Sequence, residues 1–302
     1  MTVSESLGLS GTDGSRRVEG KVAIVTGGGQ VDGPGIGTGK ASAILLARHG
    51  AKVVLVDREP DRAERTRKDI EAEGGTAIVV AGDVTVDADC RRMVQAAVDG
   101  FGRLDVLVNN VGVSRPGGVT DLSEDTWDEM LDINLKSVYL VSRHAVPAMA
   151  STGGGSIVNI SSIGALRAIG FAAYSAAKGG MISLSQEMAA AYGKQGIRVN
   201  VVVPGSVQTP RTKGASEKLG QDLSEIQKTA AAVIPLGTVT HGTGWDIGFA
   251  TLFFASEEAN WISGQVLAVD GGASVTLPAV ALAGLLSDLR SDPRSDLRSQ
   301  RS

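Results

Sequence analysis

Tyr174-Ser175-Ala176-Ala177-Lys178 sets a phenol and an ammonium four residues apart. On a helix that spacing puts both on one face, about one turn apart. A free tyrosine, with a pKa of about 10, is a poor proton carrier at neutral pH. A neighbouring lysine cation favours the phenolate and lowers that pKa. A phenol tuned in this way exchanges a proton with an alcohol or carbonyl oxygen. Two residues at helical spacing are also what an ordinary surface contact looks like, so the assignment depends on the elements around them.

Those elements alternate. Lys21–Thr26 is a short apolar, β-branched run that reads as a buried strand. A glycine-rich stretch, Gly27 to Gly39, follows, then helical apolar spacing from Lys40 to His49. Gly50 ends that helix, and Lys52–Asp57 is a second strand finishing on an acid. Strand, glycine turn, helix and acid-ended strand form a βαβ unit of the dinucleotide-binding type. Its glycines let backbone approach a pyrophosphate at a helix N-terminus. Further strands are expected at 76–81, 104–109, 155–161, 197–203 and 265–269, with helices at 87–98, 126–150, 172–193 and 243–255. Pro147 is expected to kink or end the helix at 126–150. The pattern predicts an α/β fold: one Rossmann-type, doubly wound, seven-stranded parallel sheet with helices on both faces, binding ligands at the strands' C-terminal ends.

Composition narrows the function classes. With 302 residues, 42% hydrophobic and 21% charged, the chain can bury a sizeable core. A net charge of −4 gives no reason to expect nucleic acid or an anionic membrane as partner. The single cysteine, Cys90, allows no intrachain disulfide, and three histidines show no metal-ligand spacing. No apolar run is long enough for a membrane span, and Met1–Gly20 has no signal core, so a reducing cytoplasm is the expected location. His144 and His241 read as solvent-facing or packing residues.

From about Val18 to Ala273 the chain resembles the classical short-chain dehydrogenases/reductases. The resemblance is carried in order by the glycine turn after Thr26, Asp83-Val84, Asn109-Asn110-Val111-Gly112, Asn134, Ser162, Tyr174 with Lys178, and Pro204-Gly205. It implies Tyr174 as general acid/base, Ser162 as hydrogen-bond partner of the substrate oxygen, and Lys178 as holder of the nicotinamide ribose that also lowers the Tyr174 pKa. Asn134 would anchor a water linking Lys178 to solvent; by its position alone it reads as a packing or kink residue. Ser161 competes with Ser162, which is chosen because it lies twelve residues before Tyr174 at the turn. The cofactor would be bordered by Gly27, Gly37, Thr38, Gly39, Asp57, Arg58, Asp83, Val84, Asn110, Val111, Gly112, Tyr174, Lys178, Pro204, Gly205, Val207 and Thr209. Thr209 would take the nicotinamide carboxamide, and Asp83 and Val84 the adenine. The reaction implied is hydride transfer between nicotinamide and a small-molecule secondary alcohol or ketone, preferentially as oxidation.

The chain departs from the family pattern in its glycine turn, which is about six residues longer. Counting back from Gly50 selects Gly37-Thr38-Gly39 as the helix opening, with Gly35-Ile36-Gly37 as the other register. Asp32 in the insertion is expected to face solvent, away from phosphate. Asp57 argues for NAD over NADP, because a carboxylate repels a 2′-phosphate; Arg58 next to it could instead hold one. Residues 1–17 read as a flexible extension, 18–275 as the domain with a mobile lid over 206–237, and 276–302 as a low-complexity tail. Residues 277–286 could pack on a neighbouring subunit. The long helices at 126–150 and 172–193 are expected to pair with their symmetry mates, small residues on the second allowing close approach, in a homodimer or homotetramer. Arg115 and Arg167 face either solvent or an anionic substrate. The rivals are an NADPH-dependent ketone or 3-oxoacyl-thioester reductase and a non-catalytic dinucleotide-binding scaffold.

Overall fold

Alternation along the strands decides the layering. In β1 (Val22–Thr26), Ala23 and Val25 join one buried cluster while Val22 and Ile24 join another. The same split recurs in β2 (Lys52–Asp57), with Val53 and Leu55 on one side and Val54 and Val56 on the other. A strand with apolar residues on both faces must be covered twice, which is why a parallel sheet carries helices on each side. In the computed structural model, which describes residues 16–211, 234–238 and 241–276, this is the architecture found.

The remaining strands are β3 (Thr76–Ala81), β4 (Val106–Asn109), β5 (Gly155–Ile160), β6 (Ile197–Pro204) and β9 (Val266–Val269), together with a short extra pair, β7 (Val207–Gln208) and β8 (Gly242–Thr243). The seven-stranded parallel sheet has the order β3-β2-β1-β4-β5-β6-β9. The strand order reverses between β1 and β4, which opens a crevice at their C-terminal ends. Helices α1 (Thr38–Arg48), α2 (Pro60–Ala72) and α7 (Gly244–Ala255) cover one face. Helices α3 (Asp87–Phe101), α5 (Ser137–Ser151) and α6 (Ala172–Tyr192) meet the other. No described helix is long and apolar enough to cross a membrane.

Several details differ from the sequence reading. Helix α2 was not anticipated: only Ala63, Thr66 and Ile70 of its residues are buried, so its apolar stripe is thin. The helix expected at 126–150 begins earlier, as α4 (Glu124–Leu131), where the Ser123 hydroxyl accepts from the Thr126 N–H at 3.2 Å and caps the first turn. A π-helical turn, Asp132–Lys136, then joins it to α5. Pro147 does not end α5, which runs on to Ser151 because Ala145, Val146 and Met149 are buried against the sheet and hold the turn in place. The domain start expected at Val18 falls on a fully buried residue. Most of the segment expected as a lid, 212–233, and the tail after 276 lie outside the described residues, as does the expected subunit contact of 277–286.

Candidate active site

The glycine turn is built by hydrogen bonds from β4. The Asn110 side-chain amide donates to the carbonyls of Thr26 and Gly27 at 3.1 and 3.2 Å, and its backbone N–H donates to the Thr26 hydroxyl at 3.0 Å. The Thr38 hydroxyl closes the set by donating to Asn110 Oδ1 at 2.7 Å. Thr38 opens α1 with Gly37 as its N-cap, so the register counted back from Gly50 is the one that forms. A Cβ on Gly39 would lie 2.1 Å from the Gly27 carbonyl, which leaves room for glycine alone. Val111 packs beside Gly27.

The inserted loop is tied down by Gln30. Its Oε1 accepts from the Gly37 N–H at 2.8 Å, and its amide donates to the Gly35 carbonyl at 3.3 Å. Arg65 donates to the Gln30 carbonyl and sits 3.3 Å from Asp32, whose side chain is 93% exposed. At the end of β2, Asp57 accepts from the Gly29 and Glu59 N–H groups at 3.1 and 3.0 Å, which aims its carboxylate at the turn. Arg58 points away, toward Asp83 at 3.9 Å. Asp83 accepts from both the N–H and hydroxyl of Thr85, and Val84 is buried next to it.

On the other side of the crevice, β5 delivers two serines with opposite fates. The Ser161 hydroxyl donates to the Lys178 carbonyl at 2.9 Å and is thereby directed at α6. Ser162 is extended, accepts from the Gly164 N–H at 3.1 Å, and its hydroxyl lies near enough to Tyr174 to favour the phenolate. Of the two hydroxyls, that of Ser161 is taken up by the Lys178 carbonyl, and that of Ser162 acts on Tyr174. The Phe171 ring meets the Tyr174 ring edge-on, with centroids 6.5 Å apart. One turn along α6, Lys178 is 2% exposed; its Nζ donates to the Ile160 carbonyl at 2.8 Å and lies 5.8 Å from the Tyr174 ring centroid.

Burial lowers the Lys178 ammonium to about 7, with a further push from the Arg211 charge. Burial raises the Tyr174 phenol; the hydrogen bond from Ser162 and the charge of Arg211 pull it the other way.

Asn134 sits in the π turn, fully buried. Its Oδ1 accepts from the Val113 N–H at 3.0 Å, and its amide donates to the Val113 and Met130 carbonyls at 2.9 Å each. The side chain thereby pins the segment after β4 against the helix, and π turns of this kind recur where a helix is reshaped around a site. A Cβ on Gly112 would stand 3.1 Å from Asn134 Oδ1 and 3.3 Å from Lys178 Nζ, so the three residues converge. Beneath them the Asn109 amide donates to Asn159 Oδ1, and the Asn159 amide to the Ser185 hydroxyl, each at 2.8 Å.

The last wall comes from the end of β6. Pro204 pairs with Val269, and the Gly205 N–H donates to the Val269 carbonyl at 3.0 Å. Val207 packs on the core, and Thr209 follows β7 directly. Pro210 packs against Gly33 of the inserted loop, and Arg211 donates to the Gly112 carbonyl. Arg211, Gln30, and the Asn159 and Ser185 partners of Asn109 are not marked out by the sequence. Nothing in their local spacing distinguishes them, and their positions depend on segments far apart in the chain. Arg115 lies 3.7 Å from Glu129, Arg167 donates to the Ser274 carbonyl, and His144 pairs with Asp87 at 2.9 Å. Among the described residues no group of three or more His, Cys, Asp or Glu could hold a metal ion.

A family profile described as enoyl-(acyl carrier protein) reductase matches residues 33–274. A trans-4-hydroxycyclohexanecarboxylate dehydrogenase from Sinomonas cyclohexanicum is 40% identical over 85% of this chain and 94% of its own length. A 3-oxoacyl-[acyl-carrier-protein] reductase from Thermotoga maritima is 35% identical over 85% of this chain and 98% of its own. Among solved structures, a 7α-hydroxysteroid dehydrogenase complexed with NADH and 7-oxo glycochenodeoxycholic acid superposes with a TM-score of 0.77, at 32% identity over 90% of this chain and 98% of that one. Matched over most of its length in sequence and in fold, the chain belongs to the short-chain dehydrogenase/reductase family and is an oxidoreductase.

Proposed function

We propose that this protein uses NAD(H) to interconvert a secondary alcohol and its ketone, with Tyr174 as the general acid/base. The observation that carries the reading is buried Lys178 with its Nζ 5.8 Å from the Tyr174 ring, and Ser162 at the same end of the crevice where the strand order reverses. The residues around the turn fit a dinucleotide. The glycine close packing at Gly39 brings the α1 N-terminus against the turn, a ready site for a pyrophosphate. The Asp57 carboxylate at the end of β2 suits the free ribose hydroxyls of NAD and disfavours a 2′-phosphate.

A bound nicotinamide supplies the hydride acceptor or donor. The chain's own residues do the rest. The Ser162 hydroxyl holds the substrate oxygen, and Tyr174 Oη takes its proton in oxidation or returns it in reduction. Lys178 Nζ holds a ribose hydroxyl, and Thr209 the carboxamide. Asn134 keeps one lone pair on Oδ1 beyond its bond to Val113, enough for the water of a proton relay next to Lys178. Gly27, Gly37, Thr38, Val111 and Gly112 shape the floor beneath the cofactor; Pro204, Gly205 and Val207 wall its nicotinamide end. We further propose a cytoplasmic homotetramer or homodimer paired through α6.

Two measurements test this. Thermal shift should show stabilisation by NAD and not NADP, with Asp57→Ala relaxing the preference; stabilisation by NADP alone would replace the reading with an NADPH-dependent reductase, and by neither with a non-catalytic scaffold. Tyr174→Phe should cut turnover of an alcohol panel roughly 100- to 10,000-fold, the usual span for a positioned acid/base, while leaving NADH affinity within about twofold.

A further inference from the structure

Arg211 stands at the Tyr174 end of the crevice. Its guanidinium donates to the Gly112 carbonyl, and Gly112 is the residue wedged against Asn134 and Lys178. Pro210, packed on the inserted loop at Gly33, fixes the backbone immediately before it. Among the described residues no carboxylate pairs with Arg211, and the charges acting on it are other guanidiniums, those of Arg115 and Arg62, besides the Tyr174 phenol. Arg62 lies on the Asp57 side of the crevice, its Cβ 2.6 Å from the position of a Cβ on Gly29. Arg115 lies on the opposite side, in the segment that follows Gly112, and is only loosely held by Glu129 at 3.7 Å.

Among the described residues the Gly112 carbonyl is the acceptor Arg211 has, so most of its N–H donors are unused there, and the charges of Arg115 and Arg62 add to its own. An anion entering the crevice relieves both. Arg62 is placed for the dinucleotide half, whereas Arg211 is placed for the half that holds Tyr174.

We propose that Arg211, assisted by Arg115, receives a carboxylate or similar oxyacid group carried by the substrate, so that the enzyme acts on a hydroxy acid or oxo acid and not on a neutral alcohol. The inference rests on the proposed Tyr174 site, and its test separates the two. Butyrate, hexanoate and benzoate, each beside its amide, are titrated calorimetrically into the protein with and without NADH. At least one acid should bind ten-fold or more tightly than its amide, in line with a charge-assisted hydrogen bond. Arg211→Gln should reduce that preference below about three-fold, Arg211→Lys should restore part of it, and NADH affinity should stay within about twofold in both. Equal binding of acid and amide, or binding of neither, overturns the proposal while leaving the oxidoreductase reading intact if NADH still binds. Weaker NADH binding in Arg211→Gln with the acid preference unchanged also overturns it, since Arg211 would then serve the cofactor's phosphates. Failure of NADH to bind wild type tells against the proposed function, and the titrations without NADH then decide the carboxylate preference alone.

Discussion

Replacing Lys178 by methionine should make this protein's stability markedly less dependent on alkaline pH. Lys178 is 2% exposed, and burial brings its ammonium from 10.5 down to about 7. The unfolded chain therefore binds a proton that the folded chain has released, throughout the interval between those two values. Stability rises with pH wherever the unfolded state holds more protons, so the lysine penalises folding fully below about 7 and ceases to do so above 10.5. At about 1.4 kcal/mol per pKa unit, wild type should gain roughly 4 kcal/mol relative to Lys178→Met between pH 7 and pH 10. Methionine fills similar space and removes the charge, and it leaves the Ile160 carbonyl without the 2.8 Å bond from Nζ. That loss costs about 1 kcal/mol at every pH and shifts the difference curve without tilting it. Urea unfolding of both proteins at pH 6, 7, 8, 9 and 10 gives the curve, in which groups common to both cancel. A difference that changes by less than about 0.5 kcal/mol over that range would refute the reasoning, because Lys178 would then have to be hydrated or charge-compensated in the folded state.

Two further substitutions probe the glycine turn. Gly39→Ala places a methyl 2.1 Å from the Gly27 carbonyl and 2.5 Å from the Asn110 amide nitrogen, so the turn must shift; the expected loss is about 1–3 kcal/mol in urea unfolding, with NADH binding abolished in fluorescence titration. Asn110→Ala removes the bonds to Thr26 and Gly27 and the acceptor of the Thr38 hydroxyl. It should cost roughly 1–3 kcal/mol and weaken NADH binding more than ten-fold, and normal NADH affinity would show that the turn holds its shape without that residue.

The alternation of apolar strands with amphipathic helices determined the architecture by itself. Strands such as Lys52–Asp57 are apolar on both faces, and only a sheet covered on both sides buries them. Local spacing also set the glycine register, since the helix between Gly39 and Gly50 has a length that counting recovers. Helix α2 escaped because three buried residues make too faint a stripe, and α5 does not end at Pro147 because the proline's cost is local while packing from the sheet holds the turn. The site divides along the same line. Tyr174 and Lys178 share one helix, so four residues of spacing suffice to pair them. The choice of Ser162 over Ser161 depended on which hydroxyl α6 turns toward itself, and that is set by packing between β5 and α6. The depth at which Lys178 is buried, and the approach of Arg211 from 99 residues beyond Gly112, follow from the summed geometry of the whole sheet. Chain order could name the groups able to move a proton; only the fold decides what electric field each of them feels.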